Sequence, residues 1–113
     1  MNEPAPVTGP SPSVRAFAAE TIFAALNDET RRRILAALVD GQFHASPGYT
    51  GGHPKERDVY RKHCAVLVKA GLIVGQEDPS MPRQIVYKLA PAVKVETGAA
   101  GSTLDFGWCV LRC

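Results

Sequence analysis

Basic side chains cluster between residues 54 and 70, where helical spacing predicts a buried apolar stripe of Tyr60, Cys64, Leu67 and Val68. Arg57 and Arg61 lie four residues apart, which places both guanidinium groups on one face of a helix. A guanidinium group can donate two parallel hydrogen bonds to a guanine edge or to a phosphate, so the pair suits contact with a DNA major groove. Lys55 and Lys62 carry point charges that suit contacts with phosphates.

The net charge of the chain comes from this region. The 113 residues include 13 basic and 11 acidic side chains, for a net charge of +2. Residues 54–88 hold seven of the basic and four of the acidic side chains, so this third of the chain carries +3. A basic stripe on a neutral domain is typical of a nucleic-acid footprint. The alternative is a solvated helix face on which Arg57 or Arg61 pairs with Asp58 and Glu56.

Other reactive side chains do not form a recognisable catalytic or metal site. We find no nucleophile–base pair, phosphate-binding glycine loop or carboxylate constellation, so we expect no enzyme and no cofactor. Cys109 and Cys113 are weak candidates for a soft metal site or a redox pair, because two ligands make only half of a tetrahedral site. Cys64 fits a buried apolar position better than a ligand position.

Length and composition predict a single domain in the cytoplasm. No apolar run approaches the roughly 18 residues of a membrane span, so we expect no membrane partner. Three widely spaced cysteines do not suggest a disulfide framework and favour a reducing compartment.

The elements that position these residues follow from helix and turn signals. Residues 1–12 contain four prolines and are predicted to be a disordered leader. A helix is expected over 13–26, and Asp28 can cap a second one that ends at Gly41. Residues 42–52 predict a loop or one poor helical turn. A third helix should begin at Pro54 and end at Gly71.

The C-terminal half predicts strands. Residues 72–77 and 84–89 should form a hairpin with a six-residue tip. Residues 103–111 alternate, and this predicts one strand with four apolar side chains on one face: Leu104, Phe106, Trp108 and Val110. Such a face needs a covering partner.

Three stretches resemble ArsR-type bacterial repressors. Residues 26–35 (LNDETRRRIL) are similar to that family's L-x-D-x-T-R-x-x-I-L motif, and residues 62–73 (KHCAVLVKAGLI) to its R-H-L-x-V-L-x-x-A-G-L-V motif. Residues 83–89 (RQIVYKL) resemble its returning wing strand. The resemblance implies a winged helix-turn-helix over 13–90, mostly α with a small β wing (α+β), followed by a C-terminal extension over 91–113.

The resemblance also implies a homodimeric transcriptional repressor that binds a palindromic operator in double-stranded DNA. The expected DNA contacts come from the third helix and the wing: Lys55, Arg57, Asp58, Arg61, Lys62, Arg83 and Lys88. The expected dimer interface comprises Phe17 and the apolar face of the terminal strand (Leu104, Phe106, Trp108 and Val110).

Two departures from the family pattern leave alternatives open. Residues 44–53 lack the paired cysteines of the metal-sensing members, and a strand replaces the usual dimerising helix. The weak 42–52 segment favours a winged-helix protein-interaction module that does not bind DNA as one alternative. A thiol- or metal-responsive regulator that uses Cys109 and Cys113 is another.

Overall fold

A computed structural model describes residues 18–49, 51 and 54–113 of the chain. Three helices, α1 (Ala19–Leu26), α2 (Glu29–Ala37) and α3 (Pro54–Lys69), precede five strands in the described part. The strands are β1 (Ile73–Asp78), β2 (Met81–Leu89), β3 (Lys94–Gly98), β4 (Gly101–Asp105) and β5 (Val110–Arg112). The mixed α+β class is confirmed. The predicted leader over 1–12 and Phe17 lie outside the described residues.

Helix α2 begins where the sequence predicts. Asp28 is extended, and its Oδ1 accepts a hydrogen bond from the backbone N–H of Arg31 at 3.1 Å. This bond satisfies one of the amide donors that a helix N-terminus leaves open. Partial burial raises the pKa of the Asp28 carboxyl, but the bond from Arg31 and the nearby His63 outweigh it, so the pKa lies below its usual value.

The Arg31 side chain joins all three helices. Its Nε donates to the carbonyl of Ala25 at 2.7 Å, and its Nη2 donates to the carbonyl of Ala24 at 3.0 Å. Its Nη1 lies 3.1 Å from Nδ1 of His63 on α3. These bonds satisfy carbonyl groups at the C-terminus of α1, where a positive charge is also favoured by the helix dipole.

Helix α3 has the predicted bounds because both of its ends have strong local signals. Pro54 is its first residue, where the missing N–H costs no hydrogen bond. At the other end Gly71, with φ of 83°, donates to Val68, and Leu72 donates to Leu67, the paired bonds of a Schellman motif. The predicted apolar stripe is wrong at Val68, which is 41% exposed. The described helices include none that is both long enough and apolar enough to cross a membrane.

The β1–β2 hairpin has a tighter tip than predicted. Asp78 pairs with Met81, so Pro79 and Ser80 alone form the turn, and the expected six-residue tip is wrong. The register then shifts, and Glu77 pairs with Ile85. The extra residues form a bulge in β2, in which Arg83 adopts a left-handed φ of 80°.

The terminal segment is a three-stranded antiparallel sheet in the order β3–β4–β5. The expectation of one strand over 103–111 is wrong, because the chain reverses between β4 and β5. Asp105 Oδ1 accepts the backbone N–H of Gly107 at 2.8 Å, and Phe106 N–H donates to the carbonyl of Cys109 at 3.0 Å. These bonds close a turn and break the alternation at Phe106.

This turn separates the predicted dimer-interface residues. Leu104 and Phe106 are fully buried in the chain's own core, whereas Trp108 and Val110 are 45% and 54% exposed. Leu104 and Phe106 therefore lie in the interior of the single chain and not on its surface, which corrects the prediction of a dimer contact for these two residues.

One core joins the helices to both sheets. Its fully buried side chains include Ile22 of α1, Ile34, Leu35 and Leu38 of the α2 region, Cys64 and Leu67 of α3, Leu72, Leu104 and Phe106. The terminal sheet is therefore packed into the same core as the helices and is not an appended arm.

Candidate functional site

A cleft of about 490 Å³ opens between α3, the β1–β2 hairpin and the loop that precedes α3. Smaller uncharged side chains line part of it. The rest of the lining consists of three arginines and three tyrosines: Arg57, Arg61, Arg83, Tyr49, Tyr60 and Tyr87. No carboxylate is among the described lining residues. The three arginines are exposed, whereas the tyrosines are buried or half-buried, so the cleft combines a positive rim with aromatic walls.

The three arginines reach the cleft from two elements. Arg57 and Arg61 stand one helical turn apart on α3, next to the buried side of the helix that carries Tyr60. Arg83 comes from the bulge in β2, where its left-handed backbone conformation is unusual for a residue with a side chain. Within the described part of the chain, none of the three forms an ion pair with Asp or Glu.

The tyrosine wall ties α3 to the loop before it. The hydroxyl of Tyr60 donates to the carbonyl of Pro47, and its ring centroid lies 5.1 Å from that of Tyr49 at an interplanar angle of 56°. Burial, and secondarily the neighbouring Cys64, raises the pKa of Tyr60 far above its usual range. Burial also raises the pKa of Tyr87, although Arg61 partly opposes that shift. Both phenols therefore remain neutral at physiological pH.

The described residues before α3 form a loop, where the sequence predicted either a loop or one poor helical turn. Described residues 42–49 contain no helix; a turn closes them where Tyr49 N–H donates to Ser46. His44 pairs with Tyr87 through two backbone hydrogen bonds of 2.8 Å and so forms an isolated antiparallel β-bridge with β2. The loop therefore braces both α3 and the hairpin without a helix.

Replacement of Gly48 tests this bracing. Gly48 has a φ of 72°, and a Cβ there would lie 2.8 Å from the backbone oxygen of Arg33. We expect Gly48→Ala to lower the free energy of unfolding by about 2–3 kcal/mol, because strain and a backbone clash combine. Gly41→Ala is the control, since its φ is 76° but no atom lies within 4 Å of the added Cβ. Equal losses in urea titrations of the two variants would show that the loop does not pack as described.

Three other predicted DNA contacts, Asp58, Lys62 and Lys88, do not line the cleft. Asp58 and Lys62 are exposed on a different part of the α3 surface. Lys88 packs against the ring of Phe43, with its Nζ 5.3 Å from the ring centroid, and neither residue lines the cleft. The side chain of Lys55 lies outside the described part of the structure. Of the seven predicted contacts, the structure brings together Arg57, Arg61 and Arg83.

The three cysteines differ in their exposure to solvent. Cys64 is fully buried, as predicted, and burial raises the pKa of its thiol to about 11. Burial also raises the pKa of Cys109, with a further contribution from Asp105, and it raises that of Cys113. The described residues contain no group of three His, Cys, Asp or Glu side chains that could hold a metal ion. Because the thiolate is the reactive and ligating form, these shifts do not favour sensing by these thiols.

Sequence reasoning missed the aromatic part of the cleft. It assigned Tyr60 to the core stripe of α3 and gave Tyr49 and Tyr87 no role. One feature of the sequence did indicate part of it. Ile85 and Tyr87 are two residues apart on a predicted strand, and this spacing places both side chains on the same face of β2. Comparison with protein-family models, curated proteins and solved structures finds no match to this chain.

Proposed function

We propose that this chain is a winged helix-turn-helix transcriptional regulator that binds double-stranded DNA through α3 and the β1–β2 hairpin. The observation that carries the proposal is the convergence of Arg57, Arg61 and Arg83 on one cleft without a lining carboxylate. Guanidinium groups that line the same cleft repel one another, and phosphate oxygens would relieve that repulsion while accepting their hydrogen bonds.

The order of elements supports the same proposal. In a winged helix-turn-helix, the recognition helix is followed by a β-hairpin, as α3 is followed here by β1 and β2. Arg57 and Arg61 would enter the major groove and contact phosphates along its edge, and Arg83 would contact the flanking phosphate backbone. The resemblance to ArsR-type repressors in three motifs agrees with this assignment and makes repression the proposed regulatory effect.

Binding as a homodimer is part of the proposal. One copy offers few phosphate contacts, whereas two copies would place two α3 helices about 34 Å apart, in successive major grooves of a palindromic operator. Exposed Trp108, in the turn between β4 and β5, and Val110 of β5 are the proposed apolar contacts between subunits. Sedimentation velocity should show a dimer for the wild-type chain and a shift toward monomer for Val110→Glu.

Direct titration with DNA tests the proposed function. Fluorescence anisotropy with a labelled duplex from the region upstream of the chain's own gene should show saturable binding. The affinity should fall steeply when the salt concentration is raised from about 50 to about 200 mM, because the protein releases counterions from the phosphates that it neutralises. A folded protein that does not bind duplex DNA at the lower salt concentration would contradict the proposal.

A second candidate is a protein-interaction module that keeps the same fold. The observation that favours it is the absence of a helix in described residues 42–49, since a helix-turn-helix normally uses a helix before the recognition helix as a brace. Here Pro47 and Tyr49 brace Tyr60 instead. Loss of DNA binding with an intact dimer would favour this candidate over the first.

A further inference from the structure

We infer that the cleft between α3 and the hairpin is a binding site for a small aromatic anion, a ring that carries a carboxylate or a phosphate group. The inference goes beyond DNA binding, because it concerns a small molecule held inside the cleft and not a duplex against its rim.

The charge of the cleft selects for an anion. Arg57, Arg61 and Arg83 all line it, and within the described part of the chain no carboxylate lines it or pairs with these three groups. Two of the guanidinium groups are held on one helix and the third on a separate strand, so the positive charge comes from opposite sides of the opening. A carboxylate or phosphate between them would receive charge-assisted hydrogen bonds from more than one arginine.

The walls of the cleft select for a ring. Tyr49, Tyr60 and Tyr87 present aromatic surface, and Ile85 adds an aliphatic side chain. Tyr60 is fixed by its bond to Pro47 and by its contact with Tyr49, so the wall is formed before any ligand binds. Aromatic rings pack against tyrosine in offset or tilted arrangements, which contribute beyond the area buried.

The size of the cleft favours this ligand over a phosphate group of the DNA backbone. A volume of about 490 Å³ lies within the range of small-molecule sites and is larger than one phosphate group needs. A phosphate on a duplex would meet the arginines at the rim and leave Ile85 and the tyrosine wall uncovered. A ring with an anionic group would contact both parts of the cleft at once.

Titration of the full chain with simple probes tests the inference. Isothermal titration calorimetry would compare phenyl phosphate with inorganic phosphate, which lacks the ring, and benzyl alcohol, which lacks the charge. Phenyl phosphate should bind at least about tenfold more tightly than either, because it alone uses both the arginines and the aromatic wall. Equal affinities for phenyl phosphate and inorganic phosphate, or no binding of phenyl phosphate by folded protein, would overturn the inference.

The variant Arg83→Gly tests whether the ligand binds in this cleft, and we expect this variant to fold. Glycine adopts a φ of 80° readily, so this variant removes one guanidinium group and relieves backbone strain together. It should bind phenyl phosphate about tenfold more weakly, as expected for the loss of one charge-assisted hydrogen bond. Lys94→Ala, which removes one positive charge from β3 outside the cleft, should bind as the wild type does. Equal affinities of Arg83→Gly and the wild type would place the ligand elsewhere and overturn the inference.

These titrations contain no DNA, so their outcome does not depend on the proposed function. Binding of phenyl phosphate by a chain that does not bind DNA would refute the proposed function and leave this inference standing. Binding of DNA by a chain that does not bind phenyl phosphate would do the reverse.

Discussion

Replacement of Phe106 by alanine is expected to lower the free energy of unfolding by about 3–5 kcal/mol. Phe106 is fully buried, and it belongs to the same core as the helices. Its removal would leave a cavity that the surrounding side chains can fill only in part. Because a domain of this size is typically stable by about 5–15 kcal/mol, this one change would remove a large part of the total. Urea unfolding followed by circular dichroism measures the loss.

Val110→Ala is the matched control for this prediction. Val110 belongs to the same terminal segment but is 54% exposed in the single chain, so its truncation should cost less than about 1 kcal/mol when unfolding is measured at a protein concentration that keeps the chain monomeric. If residues 103–111 formed one continuous strand with Phe106 and Val110 on one outward face, the two truncations would have similar effects on the isolated subunit. Similar losses would therefore contradict the turn at Phe106 that the structure describes.

Replacement of Arg31 by lysine should have the second large effect. Lysine keeps the positive charge, but it lacks the planar fork with which Arg31 reaches two carbonyl groups of α1 and His63 of α3. Partly buried acceptors would lose their donors, and we expect the free energy of unfolding to fall by about 2–3 kcal/mol. The measurement is again urea unfolding at neutral pH.

Arg33→Lys is the control for a general effect of exchanging arginine for lysine on α2. Arg33 lies two residues further along α2 and forms an exposed ion pair with Glu29 at 2.9 Å. Pairs of this kind contribute little, so the exchange should change stability by less than about 0.5 kcal/mol. If Arg31→Lys were as mild as Arg33→Lys, the three-helix junction at Arg31 would have no energetic role.

The sequence predicted those elements whose ends are determined locally. The bounds of α3 follow from Pro54 and Gly71, and the start of α2 follows from Asp28, because each residue satisfies or removes a terminal hydrogen-bonding group within its own turn. The buried positions Tyr60, Cys64 and Leu67 follow from the helical period once those ends are known.

The terminal sheet could not be predicted in the same way. All five residues of β3 are exposed, so this edge strand has no alternation of apolar and polar side chains to identify it. Between β4 and β5 the alternation continues through a turn, and the period of two therefore suggested a single strand. The signal that opposed it was Asp105 two residues before Gly107, a spacing that permits the side chain to accept the glycine amide.

Arg57, Arg61 and Arg83 were all predicted as DNA contacts, but only the proximity of the two α3 residues could be predicted from their spacing. The four-residue spacing of Arg57 and Arg61 places them on one helical face wherever the helix lies. Arg83 joins them because the hairpin turns at Pro79 and Ser80 and then bulges, a register set by the pairing of β1 with β2 and by the packing of the sheet. Tertiary structure, and not local pattern, completes the cleft.

The central claim is that the guanidinium groups of α3 contact the phosphates of DNA, and the salt dependence of binding tests it most directly. The logarithm of the affinity for duplex DNA would be measured against the logarithm of the salt concentration for three proteins: the wild type, Arg57→Ala/Arg61→Ala and Lys94→Ala/Arg112→Ala. Both double variants remove two positive charges, but the second pair lies on the terminal sheet. We predict that the slope falls by about two for the α3 variant, one for each lost contact, and stays at the wild-type value for the control. Equal slopes for the two double variants would contradict the claim, because any effect would then come from net charge alone.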